Sequence, residues 1–122
     1  MIINLTNHPC KAWSEKQIKA AKTYGEIEDY PFPNVNPFAD KDEIVELGKE
    51  IATDIIKKSP DAVVCQGEFS LCYVIVSELL NKKIKTLVAC SNRITEEYVD
   101  EHGYTQKKSR FEFEKFREYR RS

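Results

Sequence analysis

Residues 61–70 read Asp-Ala-Val-Val-Cys-Gln-Gly-Glu-Phe-Ser, and this stretch decides the fold class. Its first half is a short, continuously apolar run, which is typical of a parallel strand that is covered on both faces. Gly67 then permits a tight turn. The apolar segment from about Leu71 to Asn81 that follows is long enough for a helix. The order strand, turn, helix predicts an α/β domain.

The same alternation continues on both sides of this stretch. Ser14, with Gln17 three residues on, and Asp40 each have the capping pattern that begins a helix. Strands that alternate with helices imply a parallel sheet with right-handed crossovers. We therefore predict one Rossmann-like domain over residues 1–122, with a mainly parallel sheet and helices on both faces. The expected elements are strands at Ile2–Thr6, Glu26–Tyr30, Asp61–Gln66 and Ile84–Cys90, and helices at Ser14–Gly25, Asp40–Ser59 and Leu71–Asn81.

The C-terminal part of the chain has a different pattern. Residues 93–99 and 105–113 are both typical of extended chain, and His102-Gly103 between them indicates a turn. We predict a β-hairpin at the edge of the sheet, followed by a basic tail. The first arm is acidic and the second is basic, which favours charge pairing across the hairpin. The alternative is a basic flap over an anionic ligand.

Composition excludes several classes of function. The formal net charge of -1 gives no overall field that would attract DNA or an anionic membrane. Neither a signal peptide nor an apolar run of membrane-spanning length is expected. The four cysteines and two histidines do not cluster at ligand spacing, so we expect no metal site and no cofactor. These patterns predict a reduced, cytoplasmic protein.

Polar side chains follow all four predicted parallel strands. Ligands of open parallel sheets bind outside the carboxyl ends of the strands, so these side chains are expected to share one crevice. The candidates are Thr6, Asn7 and His8 after the first strand, Asn34 and Asn36 after the second, Gln66, Gly67, Glu68, Phe69 and Ser70 after the third, and Ser91, Asn92 and Arg93 after the fourth.

Two of these features favour a phosphate-bearing ligand. Gly67 lets the backbone approach a ligand, and the helix after it offers free N–H groups to an anion. Arg93 carries a guanidinium that can hold phosphate in a bidentate fork. The alternatives are that Gly67 serves only the turn and that Arg93 is an exposed residue. Glu68 either caps the helix or accepts a hydrogen bond from a ribose hydroxyl.

Other crevice residues suggest chemistry or base recognition. A loop histidine bonded to backbone is the favoured interpretation of His8, and its functional alternative is a general acid or base near neutral pH. Ser91 can bind a phosphate or a hydroxyl, but it has no evident base partner, so no Ser-His-Asp triad is predicted. Phe32 and Phe69 lie in crevice loops and can stack on a base. Trp13 is assigned to the core.

With these residues in view, the chain resembles the small CRISPR-associated ring-nuclease and CARF-like proteins. Members of that group are Rossmann-like domains, commonly dimeric, that bind the cyclic oligoadenylates made by type III CRISPR systems. The segments that carry the resemblance are Ile2–Pro9, Val64–Ser70, Val88–Arg93 and the charged hairpin with Phe111, Phe113 and Phe116.

The resemblance implies a stand-alone antiviral-defence protein that binds cyclic tetra-adenylate and damps the second-messenger signal. It also implies a homodimer, or a higher assembly, that holds the ring across a twofold axis. Cleavage in the group needs no metal, because a ribose 2′-OH attacks the adjacent phosphate. The residues that would cradle phosphate are Gln66, Gly67, Ser91, Asn92 and Arg93, and those near the reacting ribose are Asn7 and His8.

Three hypotheses stay open from the sequence. The first is a binder of cyclic oligoadenylate that either cleaves the ring or only sequesters it, since His8 is the one evident base in the crevice. A nucleotide-utilising enzyme on the same fold is the second. The third is a protein or RNA interaction module that uses the hairpin and the basic tail.

Overall fold

The computed structural model describes residues 1–122 and has three α-helices and one five-stranded mixed sheet. Along the sheet the strands lie in the order β2-β1-β3-β4-β5, with β1 to β4 parallel and β5 antiparallel to β4. The predicted α/β architecture with a C-terminal antiparallel hairpin is therefore confirmed. The elements are β1 (Ile2–Leu5), a 3-10 turn (Cys10–Ala12), α1 (Glu15–Lys22), β2 (Ile27–Asp29), α2 (Lys41–Lys57), β3 (Ala62–Cys65), α3 (Phe69–Asn81), β4 (Lys85–Val99) and β5 (Thr105–Glu118).

The core consists of two apolar layers, one on each face of the sheet. Successive residues of a strand point to opposite faces, so a strand buried on both faces is apolar throughout. Ile3 and Val63 belong to the layer under α2 and α3, whereas Ile2 and Val64 belong to the layer under α1. The helices thus cover both faces of the sheet, as expected.

The helix starts follow local capping rules. The Ser14 hydroxyl accepts a hydrogen bond from the Gln17 amide at 3.2 Å, and Asp40 Oδ1 accepts one from the Glu43 amide at 2.9 Å. Both caps were predicted. Helix α3 begins at Phe69, two residues before the expected start, because the carboxylate of Glu68 caps it.

The largest difference from expectation is that β4 does not end at Cys90. It runs without interruption to Val99, and β5 pairs with it from Thr105 to Glu118. The segment expected as a basic tail therefore begins as strand, because residues 115–118 pair with residues 87–90. Residues 91–99 and 105–113 form the part of this pair that we call the ribbon.

The tip and the charges of the ribbon are as expected. Gly103 has a φ of 82°, and Asp100 Oδ1 accepts hydrogen bonds from the amides of His102 and Tyr104, so the turn lies where the sequence placed it. Acidic and basic arms pair across the ribbon. Arg110 contacts Glu96 with an N···O distance of 2.8 Å.

A β-bulge in β5 changes the faces that its aromatic side chains occupy. Cys90 pairs with Lys115 and Ser91 pairs with Phe113, which leaves Glu114 as an extra residue. Residues three apart in a strand normally face opposite sides. The extra residue brings Phe113 and Phe116 onto the same side, with their ring centroids 4.9 Å apart.

None of the helices is both long and apolar enough to cross a membrane.

Candidate ligand-binding cleft

A cleft of about 760 Å³ opens at the carboxyl edge of the sheet, where β1 and β3 lie side by side. The chain leaves β1 toward β2 on one side and leaves β3 toward β4 on the other, so the strand order reverses between them. Open α/β sheets bind ligands at such a reversal. The residues that line the cleft are Thr6, Asn7, His8, Ala12, Trp13, Ser14, Gln17, Gln66, Gly67, Ala89, Ser91, Phe111 and Phe113.

Six of the thirteen candidate residues from the sequence lie in this lining. The cleft brings together Thr6, Asn7, His8, Gln66, Gly67 and Ser91. It does not include Asn34, Asn36, Glu68, Phe69, Ser70, Asn92 or Arg93. The reasons differ from one strand end to the next.

The loop after β1 is held by a partly buried polar network. The Asn4 side-chain amide donates to the His8 carbonyl at 2.8 Å and to Asp29 Oδ1 at 2.9 Å. The Thr6 hydroxyl donates to Asn4 Oδ1 at 2.7 Å, and Asp29 Oδ1 also accepts from the Cys10 amide at 3.0 Å. Asn4 and Asp29 were not singled out in the sequence. They fix the backbone from which the side chains of Asn7 and His8 extend.

Gln66 has one end of its amide fixed and the other available. Its Oε1 accepts a hydrogen bond from the Ala89 amide at 2.9 Å. A backbone N–H requires an acceptor, so this contact assigns the oxygen and leaves the Nε2 group as a donor at the cleft. Gln66 is therefore preorganised to donate to a ligand oxygen or ring nitrogen.

Gly67 lies at the cleft for a packing reason. A Cβ on this residue would lie 2.5 Å from Cδ1 and Cζ of Phe32. The ring of Phe32 is 5% exposed and belongs to the core, so the expectation that Phe32 stacks on a base is wrong. The proline-rich loop packs its aromatic residue inward and leaves Asn34 exposed, away from the cleft.

The expected free N–H groups at the start of α3 are occupied. The carboxylate of Glu68 accepts hydrogen bonds from the amides of Ser70 and Leu71 at 3.1 and 2.8 Å and from the Ser70 hydroxyl at 2.7 Å. The Leu71 amide first, and then both donors of Ser70, lower the pKa of Glu68. A carboxylate in this position repels an incoming anion, so the capping alternative is the one found. Phe69, on the first turn of the helix, is 93% exposed and is not part of the cleft lining.

Because side chains alternate along a strand, neighbouring residues at the end of the parallel part of β4 face opposite sides of the sheet. Ser91 lies in the cleft, whereas Asn92 lies in a shallow groove with Lys115 and Arg117. Arg93 pairs with Phe111 across the ribbon, and its Nη2 is 3.4 Å from the Ser109 hydroxyl. Arg93 is exposed and stands beyond the rim of the cleft.

One wall of the cleft is aromatic and was not predicted. It consists of Phe111 and Phe113 from β5 and Trp13 before α1. Phe116 supports this wall from behind, with its ring centroid 6.1 Å from that of Trp13. Spacing in the sequence could not reveal the wall, since the bulge at Glu114 decides which rings share a face.

The lining contains no Lys, Arg, Asp or Glu, and its one imidazole is that of His8. Its polar groups are amides and hydroxyls. No cluster of three or more His, Cys, Asp or Glu side chains is placed to hold a metal ion. This arrangement can bind aromatic rings and donate neutral hydrogen bonds.

A second groove of about 600 Å³ lies on the opposite side of the sheet, between α3 and the C-terminal residues. Its floor includes Cys72, whose Sγ is 3.6 Å from that of Cys65 and 3.9 Å from the hydroxyl of Tyr119. The contact with Cys65 is the main cause that lowers the pKa of Cys72 to about 7. All four cysteines are free.

A family model described as the Uncharacterized protein MJ1673 family matches residues 1–117. No curated protein and no solved structure matches the chain.

Proposed function

The chain belongs to the Uncharacterized protein MJ1673 family, whose description names no activity, and we propose that it binds cyclic oligoadenylate. The ligand occupies the cleft at the β1–β3 reversal, and binding damps type III CRISPR signalling. One observation carries the proposal. The cleft combines an aromatic wall with amide and hydroxyl groups and contains no carboxylate.

Such a lining suits nucleosides that are linked by phosphodiesters. Purine rings stack on aromatic side chains, and amides hydrogen-bond to base edges. Phe111 is 72% exposed, so one of its faces is accessible to a base. Asn7 and Gln66 provide neutral donors for base nitrogens or phosphate oxygens. The absence of carboxylates from the lining spares an anionic ligand the repulsion that Glu68 would impose at α3.

The size of the cleft favours two copies of the protein for one ring. A volume of about 760 Å³ lies within the range of pockets that hold one small ligand. A cyclic tetranucleotide carries four bases and exceeds that size, so one cleft grips part of it. A symmetric dimer offers two equivalent clefts to a symmetric ring. This proposal includes a CARF-like, Rossmann-type identity for the fold and a cytoplasmic site of action.

Two routes to signal damping follow from the composition of the cleft. Cleavage forms a bond from the ribose 2′-oxygen to the adjacent phosphorus and breaks the bond from that phosphorus to the 5′-oxygen of the next nucleotide. It requires the 2′-OH to be aligned in line with the leaving 5′-oxygen, a proton to pass from the former to the latter, and the developing charge to be stabilised. His8 is the only titratable side chain in the lining that can move a proton near neutral pH. Holding the intact ring requires no such group. Turnover therefore depends on His8, whereas sequestration does not.

The test is incubation of the purified protein with labelled cyclic tetra-adenylate in the presence of EDTA, read by gel shift and by chromatography. We expect a shifted band. Linear products in the wild type that are lost in His8→Ala, with the shift retained, indicate a ring nuclease. An intact ring in both proteins indicates sequestration. The absence of a shift with rings of three to six nucleotides overturns the proposal, and binding of a mononucleotide alone favours a nucleotide-utilising enzyme instead.

A further inference from the structure

The outer edge of β5 has no partner within the chain. β5 is the last strand in the sheet order, so the backbone groups on its far side are not paired with another strand. An exposed edge of this kind is a template for pairing with a second chain. The ribbon also extends past the other strands, because β3 pairs with β4 only as far as Leu87. A two-stranded ribbon is only marginally stable by itself and gains from additional strands.

The sequence of this edge is complementary to itself in one register. Residues 109–113 read Ser-Arg-Phe-Glu-Phe. When two copies of β5 pair antiparallel with Phe111 opposite Phe111, Arg110 of each copy lies opposite Glu112 of the other. Registers centred on Arg110 or on Glu112 place two like charges directly opposite each other, which is destabilising. The charges at positions 110 and 112, next to the axis, therefore favour the register centred on Phe111, which also places Lys107 opposite Lys115 farther from the axis.

This register also orients the two clefts. Side chains of directly opposed residues in an antiparallel pair lie on the same face of the sheet. The two Phe111 rings, each part of a cleft wall, then meet at the twofold axis, and both clefts open on the same side. Arg93 pairs with Phe111 within each chain and lies on this face. Three strand spacings separate the two Arg93 residues across the axis, about 14 Å.

We propose that two copies of this chain associate through the outer edges of β5, with Phe111 at the twofold axis, to form a continuous ten-stranded sheet and one joined site. This inference rests on the proposed function for its ligand, but the interface is argued from the edge strand alone. The dimer brings cationic side chains to the ligand, and the lining of a single cleft has no Lys or Arg. It places Arg93 from each copy beside a ligand that spans both clefts, where guanidinium groups can contact phosphates.

The charges determine the register more than the affinity. Arg110 and Glu112 are each about half exposed and already form ion pairs within the chain, with Glu96 in the case of Arg110. Exposed ion pairs add little stability, whereas like charges directly opposite each other oppose association. Backbone hydrogen bonds and the burial of Phe111 provide the favourable part of the association.

The test measures mass in solution without any ligand, by size-exclusion chromatography with light scattering and by analytical ultracentrifugation. We expect a dimer for the wild type. Arg110→Glu and Glu112→Arg each place like charges opposite each other, and each should raise the dimer dissociation constant about tenfold or more. In an equimolar mixture of the two variants, the residues at positions 110 and 112 of one variant lie opposite residues of opposite charge in the other. We expect the mixture to form heterodimers, which also shows that each variant is folded.

Phe111→Cys provides a second readout of the register. Directly opposed Cβ atoms lie about 4.5–5.5 Å apart, so mild oxidation should join two Phe111→Cys chains by a disulfide. Ser109→Cys, whose opposite residue is Phe113 of the second copy, should form no such dimer above the wild-type background. The exposed aromatic residues Phe69 and Tyr73 of α3 form the competing interface, so Phe69→Ala and Tyr73→Ala serve as matched controls. Their exposed fractions are 93% and 75%.

The outcomes separate this inference from the proposed function. A wild-type monomer, or a dimer that the α3 variants break and the β5 variants leave intact, overturns the interface. A β5 dimer that binds no cyclic oligoadenylate of any size supports the interface and overturns the proposed function. A dimer whose affinity for cyclic tetra-adenylate falls in Arg93→Ala, with the mass unchanged, supports both.

Discussion

The ring of Phe32 lies directly over Gly67, in the space that a Cβ on Gly67 would occupy. This contact closes the turn between β3 and α3 against the loop that follows β2. It also holds one side of the cleft, since Gly67 lies in the lining and Phe32 lies behind it. The glycine is thus required by its neighbour in the core, and its backbone needs no positive φ.

Gly67→Ala should therefore destabilise the fold. The added methyl group displaces a buried ring, and overpacking of this kind costs about 1–3 kcal/mol in free energy of unfolding. Urea denaturation followed by circular dichroism measures the loss. Phe32→Leu removes part of the ring and serves as the partner change. The double variant should lose less than the sum of the two single losses, and strict additivity would show that the two residues do not interact.

Gln66→Glu should weaken binding of cyclic tetra-adenylate by about 10- to 100-fold, which corresponds to the loss of a hydrogen bond to a charged group. The variant keeps the oxygen that accepts from Ala89 and replaces the free Nε2 donor with a negative oxygen. Isothermal titration calorimetry gives the affinity. Asn34→Asp is the matched control, because it adds the same charge at an exposed position outside the cleft. Equal effects of the two variants would remove Gln66 from the site.

Glu68→Gln should lower the thermal midpoint at neutral pH and have little effect in acid. The Leu71 amide and the donors of Ser70 lower the pKa of Glu68, so its carboxylate is stabilised more in the folded chain than in the unfolded chain. That contribution is complete above about pH 5 and is lost as the pH falls through the lowered value. Thermal melts between pH 3 and pH 7 measure it.

The control for Glu68 is Glu50→Gln, an exposed carboxylate in the middle of α2. Its difference from the wild type should not show the same dependence on pH. A gap between Glu68→Gln and the wild type that persists unchanged at low pH would contradict a capping role for the charged carboxylate.

Cys72 should react with iodoacetamide at a rate that rises with pH and has its midpoint at about 7. The Cys65 thiol has its own pKa raised, first by its contact with Cys72 and then by burial, so it keeps its proton and can donate to the Cys72 thiolate. Cys65→Ala should shift the midpoint upward, toward the ordinary value of 9.0. The rate measured with a Cys72→Ser variant gives the reaction of the other cysteines, and its subtraction leaves the rate of Cys72 alone. A midpoint that is the same with and without Cys65 would exclude that thiol as the cause.

Local and topological signals predicted the parallel half of the molecule. Ser14 and Asp40 cap their helices because a cap depends only on the next three residues. The rule that ligands lie at the carboxyl ends of parallel strands brought Thr6 and Gln66 to the same cleft. These predictions needed no knowledge of how distant segments pack.

The antiparallel half depended on pairing between distant residues, and there the sequence was less informative. Ser91 and Asn92 have no strong preference for strand, and β4 continues through them because β5 pairs with it from the other side. Phe32 is buried because a proline-rich loop folds back over Gly67. At Glu68 the sequence left two alternatives, and the geometry of Ser70 and Leu71 decides for the cap.

The extra residue in β5 can be dispensed with, because the pairing with β4 decides which face each ring occupies. Phe116 lies opposite Ala89 and Phe113 lies opposite Ser91, and these two residues of β4 share a face. Glu114 is exposed enough at its side chain to form an ion pair with Lys16 at 3.3 Å, and many residues could replace it there. Its deletion would remove the bulge, place Phe113 two positions from Phe116 in a regular ladder and keep the aromatic wall beside Trp13. At this position the gene can tolerate a missing codon as well as a changed one.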